Sequence, residues 1–359
     1  MKKKGGANLK KTGRLTVIYI VVIGILFIIL VPVYFLVSLS FLSTREAYQF
    51  PLPLVPDFTT EFALDKNEEG DGYVLYVYDD QEEEYKSVLD TADLDKMSTY
   101  ARTFLNTIVD ADEFEEQIVK LEQQVEEDGI VYFTHRRDIF LNYKVFFTVT
   151  RDAGPALMRS LQIAAITIVI SLSIGGTAGY AFARYRFKGR NGLKFSVLFV
   201  RMFPAVAIAI PMILILTDMG LYDKPLGLSL VYAVGSIGLT VWITASIFMG
   251  IPVSLEEAAQ VFGATKLQAF IRMTLPLAFP GLAASAMYAF LGAWNETVSA
   301  IILTQFNPTF SVVVYQTVLG AVGQVNLAAA GGMIMALPAV VFTFIIRRYI
   351  RQMWGGITV

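Results

Sequence analysis

Cysteine is absent from the 359 residues and histidine occurs once, at His135. Disulfide frameworks, thiol nucleophiles and cysteine zinc sites are thereby excluded, and almost no histidine-based metal or triad chemistry is left. The chain also lacks a Gly-x-x-x-x-Gly-Lys-Ser/Thr phosphate loop, so it is not itself an ATPase. Charge is scarce as well: 17% of residues are Asp, Glu, Lys or Arg against 55% hydrophobic, and the mean hydropathy is +0.55. With the apolar residues gathered into long uncharged runs, that balance makes the bilayer the solvent for most of the chain.

Six runs are long enough to span: residues 15–44, 160–183, 195–217, 225–251, 277–303 and 327–346. The first ends in Phe41-Leu42-Ser43 with no small-residue cleavage pattern, so it reads as a retained helix and not a cleaved signal. Basic residues fall in four clusters: Lys2 to Arg14, Arg184 to Lys194, Lys266 with Arg272, and Arg347, Arg348 and Arg351. The positive-inside bias puts all four in the cytoplasm, and alternation through six spans satisfies them together. Both termini are then cytoplasmic in a multi-pass protein of the cell membrane, with a basic tail at 1–14 and a second tail at 347–359. The net charge of −2 hides a segregation, because residues 45–152 hold 26 Asp and Glu against 10 Lys and Arg while the remainder carries +14. This acidic block, 45–153, lies between spans 1 and 2 and is expected outside.

The block is domain-sized and not of low complexity. Strand character appears at 73–78, 129–133 and 143–149, and apolar residues recur at helical spacing over 94–109 and 113–127. A small α+β extracytoplasmic domain is expected, with His135 on its surface. It either helps to dock an external partner or only shields the complex.

The permease core is expected over 154–346, and its most informative stretch is the loop 251–276 between spans 4 and 5. Ser254 with Glu257 reads as a capping box that opens a short helix, Gly263 as the left-handed residue that closes it, and Thr265 with Gln268 as a second start signal. Ala258 and Ala259 leave a smooth surface suited to close docking of another protein. Glu257, Ala258, Ala259 and Gly263, followed by Leu275 and Pro276, resemble the EAA loop of ABC importer permeases, the binding-protein-dependent inner-membrane components. Met273 stands where that pattern usually has Ile. The likeness extends through Arg159-Ser-Leu, Gly179 to Gly189, Met202-Phe-Pro204, Asp218-Met-Gly-Leu221 and Gly292-Ala-Trp-Asn-Glu296, and is greatest with MalG-type subunits of maltose or maltodextrin importers.

That resemblance implies an all-α membrane fold of six transmembrane helices, the type I importer permease fold, carrying the insertion. It implies a homologous, MalF-like permease partner, two ATP-binding subunits and an extracytoplasmic sugar-binding protein, in contact with membrane lipid and with no nucleic acid. It also implies no cofactor or metal on this chain, with ATP and Mg held by the ATP-binding subunits, and a coupling helix in the EAA loop that transmits their closure. The insertion and the carboxyl tail depart from the family pattern, so a tail contact of residues 354–359 with the ATPase stays open.

Ionisable groups at membrane depth are costly and usually functional. Trp294, Asn295 and Glu296 on span 5 could serve a sugar pathway, but an interfacial tryptophan belt with a snorkelling or interhelical glutamate fits them better. Arg201 in span 3 faces a cavity or partner helix, or snorkels, and Pro204 and Pro211 bend that span. The small-residue stretches 173–179 and 283–286 read as helix packing, with a pathway lining as the alternative. A membrane-anchored receptor acting through the acidic domain is the rival function. It leaves the loop spacing and the six spans unexplained. A secondary transporter would show an inverted repeat, and none is seen.

Overall fold

The computed structural model describes residues 4–355 except 45, 68–71, 80–83, 91–110, 151 and 320–323. The expected helix at 94–109 and the terminal 356–359 lie outside the described residues. The chain forms two compact units, residues 1–149 with 317–333, and residues 150–316 with 334–359.

In the first unit, α1 (Lys4–Phe41) is a single helix, apolar from Leu15 onward, with Pro32 inside it. Four antiparallel strands follow, β1 (Thr59–Lys66), β2 (Tyr73–Asp79), β3 (Glu84–Asp90) and β4 (Val131–Arg136), in the order β3-β2-β1-β4. Helix α2 (Ala111–Asp128) presents Ile118, Leu121 and Val125 at helical spacing to one face of the sheet. They meet Phe62, Leu64 and Leu75, and Phe62 stacks on Phe133 at 5.5 Å. Each such side chain contributes about 1.5–3 kcal/mol by leaving water. On the other face Tyr85 bridges Tyr78 and Tyr132 at 5.1 and 5.3 Å.

Two expectations fail in this unit. Residues 143–149, rich in aromatic and branched side chains, are not a strand but belong to α3 (Leu141–Val149). Leu141, Asn142, Val145 and Phe146 are buried together at helical spacing, and burying one face outweighs the strand propensity of the residues between them. His135 is buried, with Nδ1 2.7 Å from Gln117 Oε1 on α2.

Side chains from the region after β4 close the end of α1. Arg137 Nη2 donates to Phe41 O at 2.5 Å and to Asp57 O at 3.3 Å, and it pairs with Glu46 at 3.6 Å. Burial pushes the Arg137 guanidinium below its usual pKa, against the opposing pull of Glu46 and Asp57. Asn142 Nδ2 donates to the carbonyls of Ser40 and Leu42 at 2.9 and 2.7 Å. Asn326 Nδ2 reaches Leu42 O, Thr44 Oγ1 and Asn142 Oδ1. These donors satisfy carbonyls that a helix end leaves orphaned, and the cation opposes the negative end of the dipole.

The second unit is helical. Helix α4 (Ala153–Ser171) continues through a π turn at Leu172–Gly176 into α5 (Thr177–Arg184). Then come α6 (Arg190–Phe199), α7 (Ala205–Asp218), α8 (Pro225–Gly250), α9 (Ser254–Val261) and α10 (Lys266–Ala269). After a second π turn at Phe270–Thr274 follow α11 (Leu275–Trp294), α12 (Val298–Leu303), α13 (Phe310–Leu319) and α14 (Val325–Gly355), which begins in the first unit.

Among the described residues five helices are long and apolar enough to cross a membrane, or six if the bent pair Arg190–Met202 and Val206–Asp218 counts as one. That pair bends by 93°, so the third expected span is broken and not merely curved. The break falls at Phe203-Pro204, where proline removes a donor and forces the preceding residue into an extended conformation, ψ 133°. The fifth span stops at Trp294 instead of running to 303, and α12 starts afresh. A shorter apolar helix, α13, lies between the fifth and sixth expected spans.

Helix α8 is the axis of this unit, because α4, α5 and α11 all pack on it. Ile163, Leu228, Tyr232, Phe290 and Trp294 form its main core. Between lipid-bathed helices packing and hydrogen bonds carry the association. Ser229 Oγ donates to Ile163 O at 3.2 Å, and Thr244 Oγ1 to Gly175 O at 3.3 Å. The small stretches 173–179 and 283–286 do serve packing: Gly175, Gly176, Gly179, Ala283, Ser285 and Ala286 are all buried.

Candidate functional site

Loop 251–276 folds as two short helices joined at Gly263, whose φ of +89° is a left-handed conformation that a Cβ would strain. Thr265 forms its capping box in full: its Oγ1 accepts from Gln268 N at 3.2 Å, and its own N donates to Gln268 Oε1 at 2.9 Å. Ser254 does not cap α9. The turn starts at Pro252 and Val253, with Leu255 N bonded to Pro252 O and Glu256 N to Val253 O, so Ser254 is already the first helical residue. The preset φ of Pro252 moves the start ahead of the capping pair.

Successive residues of a helix point about 100° apart, and α9 uses this to separate its two glutamates. Glu257 and Ala258 are exposed, Ala259 is half-buried, and Val261 and Phe262 stand 85% and 91% exposed. Leu267 on α10 is 66% exposed, Leu275 half-buried and Pro276 exposed. One side of the helix pair is therefore an open surface of alanine and large apolar residues beside the Glu257 carboxylate.

Glu256 points the other way and is buried. Its Oε1 accepts from Arg184 Nε at 2.8 Å and Thr274 Oγ1 at 2.7 Å, and its Oε2 accepts from Tyr180 OH at 2.7 Å. Arg184 Nη1 also donates to Phe248 O, at the end of α8, at 2.8 Å. Burial pushes the Glu256 carboxyl up, but the bonds from Thr274, Tyr180 and Arg184 and the Arg184 charge outweigh it and hold the carboxyl below the ordinary range. Glu256 is thus ionised at neutral pH. Tyr180, Phe248 and Phe270 enclose the pair, with ring centroids 4.5 to 6.1 Å apart. The sequence pattern named Glu257 and missed Glu256, Arg184, Tyr180 and Thr274. The doubled glutamate was visible, but which of the two turns inward depends on where the helix starts.

The four residues expected at membrane depth separate into two kinds. Trp294 is buried, stacks on Phe290 at 5.5 Å and donates Nε1–H to Met335 O at 2.9 Å. Glu296, in the break before α12, accepts from Ser299 N at 3.0 Å and from Tyr232 OH at 3.0 Å. Both are engaged in holding the α11–α12 junction. Asn295 is exposed at the C-cap of α11, and Arg201 lies 4.8 Å from the Tyr288 ring centroid on α11, a cation–π contact. Among the described residues no group of His, Asp and Glu is arranged to hold a metal ion.

Residues 171–354 match the family described as binding-protein-dependent transport system inner membrane component. The trehalose transport system permease protein SugB of Mycobacterium tuberculosis is 35% identical over 215 residues, 59% of this chain and 78% of that one. The maltose/maltodextrin transport system permease protein MalG of Vibrio vulnificus is 33% identical over 209 residues, 56% of this chain and 70% of that one. A crystal structure of a bacterial ABC transporter involved in the import of the acidic polysaccharide alginate includes a chain with the same fold, at a TM-score of 0.54 and 19% identity, covering 94% of this chain and 97% of that one. The helical fold, the apolar spans and these matches agree: the chain belongs to the binding-protein-dependent transport system inner membrane component family.

Proposed function

We propose that this chain is one permease subunit of an ATP-driven importer of sugars, maltose, maltodextrin or a related oligosaccharide, and that α9 and α10 are its contact with an ATP-binding subunit. The observation that carries the reading is the open face of α9: Phe262 at 91% and Val261 at 85% exposure, beside Glu257 and Ala258. An apolar knob of this size on a loop outside the spans calls for a protein partner. The sugar class follows from the trehalose and maltodextrin permeases among the relatives. A heterologous, MalF-like permease completes the pathway, an extracytoplasmic sugar-binding protein delivers the substrate, and two ATP-binding subunits hold ATP and Mg. Glu257, Ala258, Ala259, Gly263, Leu275 and Pro276 form the coupling loop, and Trp294, Asn295, Glu296 and Arg201 are the pathway candidates, of which Trp294 and Glu296 also hold the α11–α12 junction. The termini and the loop lie in the cytoplasm and the acidic 45–153 insertion outside, a reading supported by the positive-inside bias of the four basic clusters. The receptor alternative has no support in the family or its relatives.

Affinity purification from the native membrane with mass spectrometry tests the reading. Wild type brings down an ATP-binding subunit and a second permease, whereas Glu257→Lys with Phe262→Glu keeps the permease and loses the ATP-binding subunit. Retention of that subunit by the double variant, or its absence from wild type, refutes the assignment.

A further inference from the structure

Two segments reach the carboxylate of Glu256 directly and a third is joined to it through Arg184, none of them by way of the open face of α9. Arg184 is the last residue of α5, Tyr180 lies one turn before it, Thr274 ends the π turn that leads into α11, and Arg184 also binds the carbonyl of Phe248 at the end of α8. Side chains of the ion pair are 7% and 9% exposed, so the pair is shielded from solvent screening. The π turn has a visible consequence here: it is the segment that ends at Thr274, which is fully buried with its hydroxyl on Glu256. Ile251, Leu255, Phe270 and Ala278 complete an apolar jacket around the joint.

We infer that Glu256 and Arg184 are positioning residues for energy transfer: together with Tyr180 and Thr274 they lock α9 to the ends of α5, α8 and the start of α11, so that a push on α9 moves those helices as one body. The inference rests on the coupling reading above but concerns residues that do not face the ATP-binding subunit. A hinge at this point would absorb the movement of α9, because an element transmits displacement only when its attachment has one arrangement and not many. The carboxylate is held by three donors on two segments, Tyr180 and Arg184 on α5 and Thr274 on the π turn, which fixes both the position and the roll of the helix. Removing one partner leaves an uncompensated buried charge and can cost the fold, whereas replacing both by apolar side chains of similar volume need not. The pair Glu256→Leu with Arg184→Leu therefore separates stability from rigidity.

The test uses the assembled complex carrying spin labels on Ser254→Cys in α9 and Val234→Cys in α8, both exposed sites in a chain with no other cysteine. In the otherwise wild-type chain the inter-label distance is narrow and is unchanged when ATP and vanadate close the ATP-binding subunits. In the double Leu variant the ATP-binding subunit still copurifies and hydrolyses ATP, but the distribution broadens about twofold and its mean moves on addition of ATP and vanadate, as for an element with several accessible arrangements. Glu256→Gln, which keeps the shape and loses the charge, falls between them. A double variant that assembles and keeps the narrow, ATP-insensitive distance overturns the inference. Failure of the coupling reading shows separately, as absence of an ATP-binding subunit from the wild-type preparation.

Discussion

Gly179→Val is expected to abolish accumulation of the assembled subunit, while Gly192→Ala leaves it unchanged. A Cβ at Gly179 would lie 2.0 Å from Thr244 Oγ1 and 2.9 Å from the backbone N of Ala245, on the facing helix α8. The Thr244 hydroxyl cannot swing clear without cost, because it donates to Thr240 O at 2.7 Å and to Gly175 O at 3.3 Å, and branched side chains have stiff χ1. The backbone contact cannot be relieved by any rotamer, so the two helices must separate along the seam they share. Overpacking a close-packed seam costs about 1–3 kcal/mol, and a clash with backbone takes this case to the top of that range or past it. Gly192 on α6 has nothing within 4 Å of its would-be Cβ and serves as the control. Fluorescence-detected size exclusion of tagged subunits measures both. A Gly179→Val subunit that accumulates normally would mean that α5 and α8 are not packed as described.

Arg137→Met is expected to release the insertion from the end of α1. The guanidinium spans two carbonyls and Glu46 while only 3% of its side chain is exposed. Methionine fills much of the volume but offers no donor, so the Phe41 carbonyl loses a bond and Glu46 loses its cation. Glu46 keeps some support, accepting from Ser43 N and Asp57 N at 2.7 Å each. The cost is therefore set near the lower end of that for a broken buried pair, about 3 kcal/mol, or a rise on the order of 100-fold in the open population. Limited proteolysis of membranes reads this as faster cleavage within residues 46–150, and Arg137→Lys lies between because one ammonium cannot reach all three acceptors. Unchanged cleavage in Arg137→Met would show that the guanidinium does not hold this junction.

How much of this could be read from the sequence depends on what each signal measures. Long, nearly uncharged runs located each candidate span among the described residues, because the bilayer requires length and apolarity and little else. The same runs hid the helix ends inside them: residues 277–303 contain one charge, Glu296, and only the structure shows it accepting from Ser299 to start a new helix after Trp294. The third span gave a clearer sign in Phe203-Pro204, but a proline kink and a 93° break look alike in a sequence. Residues 143–149 misled because aromatic and branched residues fit either period until burial of Leu141, Asn142, Val145 and Phe146 chooses one. In loop 251–276 the turn chemistry at Gly263 and Thr265 was legible, since a left-handed residue and a capping box are local. Glu256 was not legible, because its partners are 18 to 76 residues away.

The proposed function has the open face of α9 meet an ATP-binding subunit. Because the chain has no cysteine, a single cysteine carrying a benzophenone photo-crosslinker marks one position at a time. The most direct measurement places it in turn at Ala258, at Phe262 and at Met219, an exposed residue just past the end of α7. Irradiation of native membranes should join positions 258 and 262 to an ATP-binding subunit and leave position 219 unjoined to it. Crosslinking of that subunit to position 219, or to neither 258 nor 262, would show that the open face of α9 is not its docking surface.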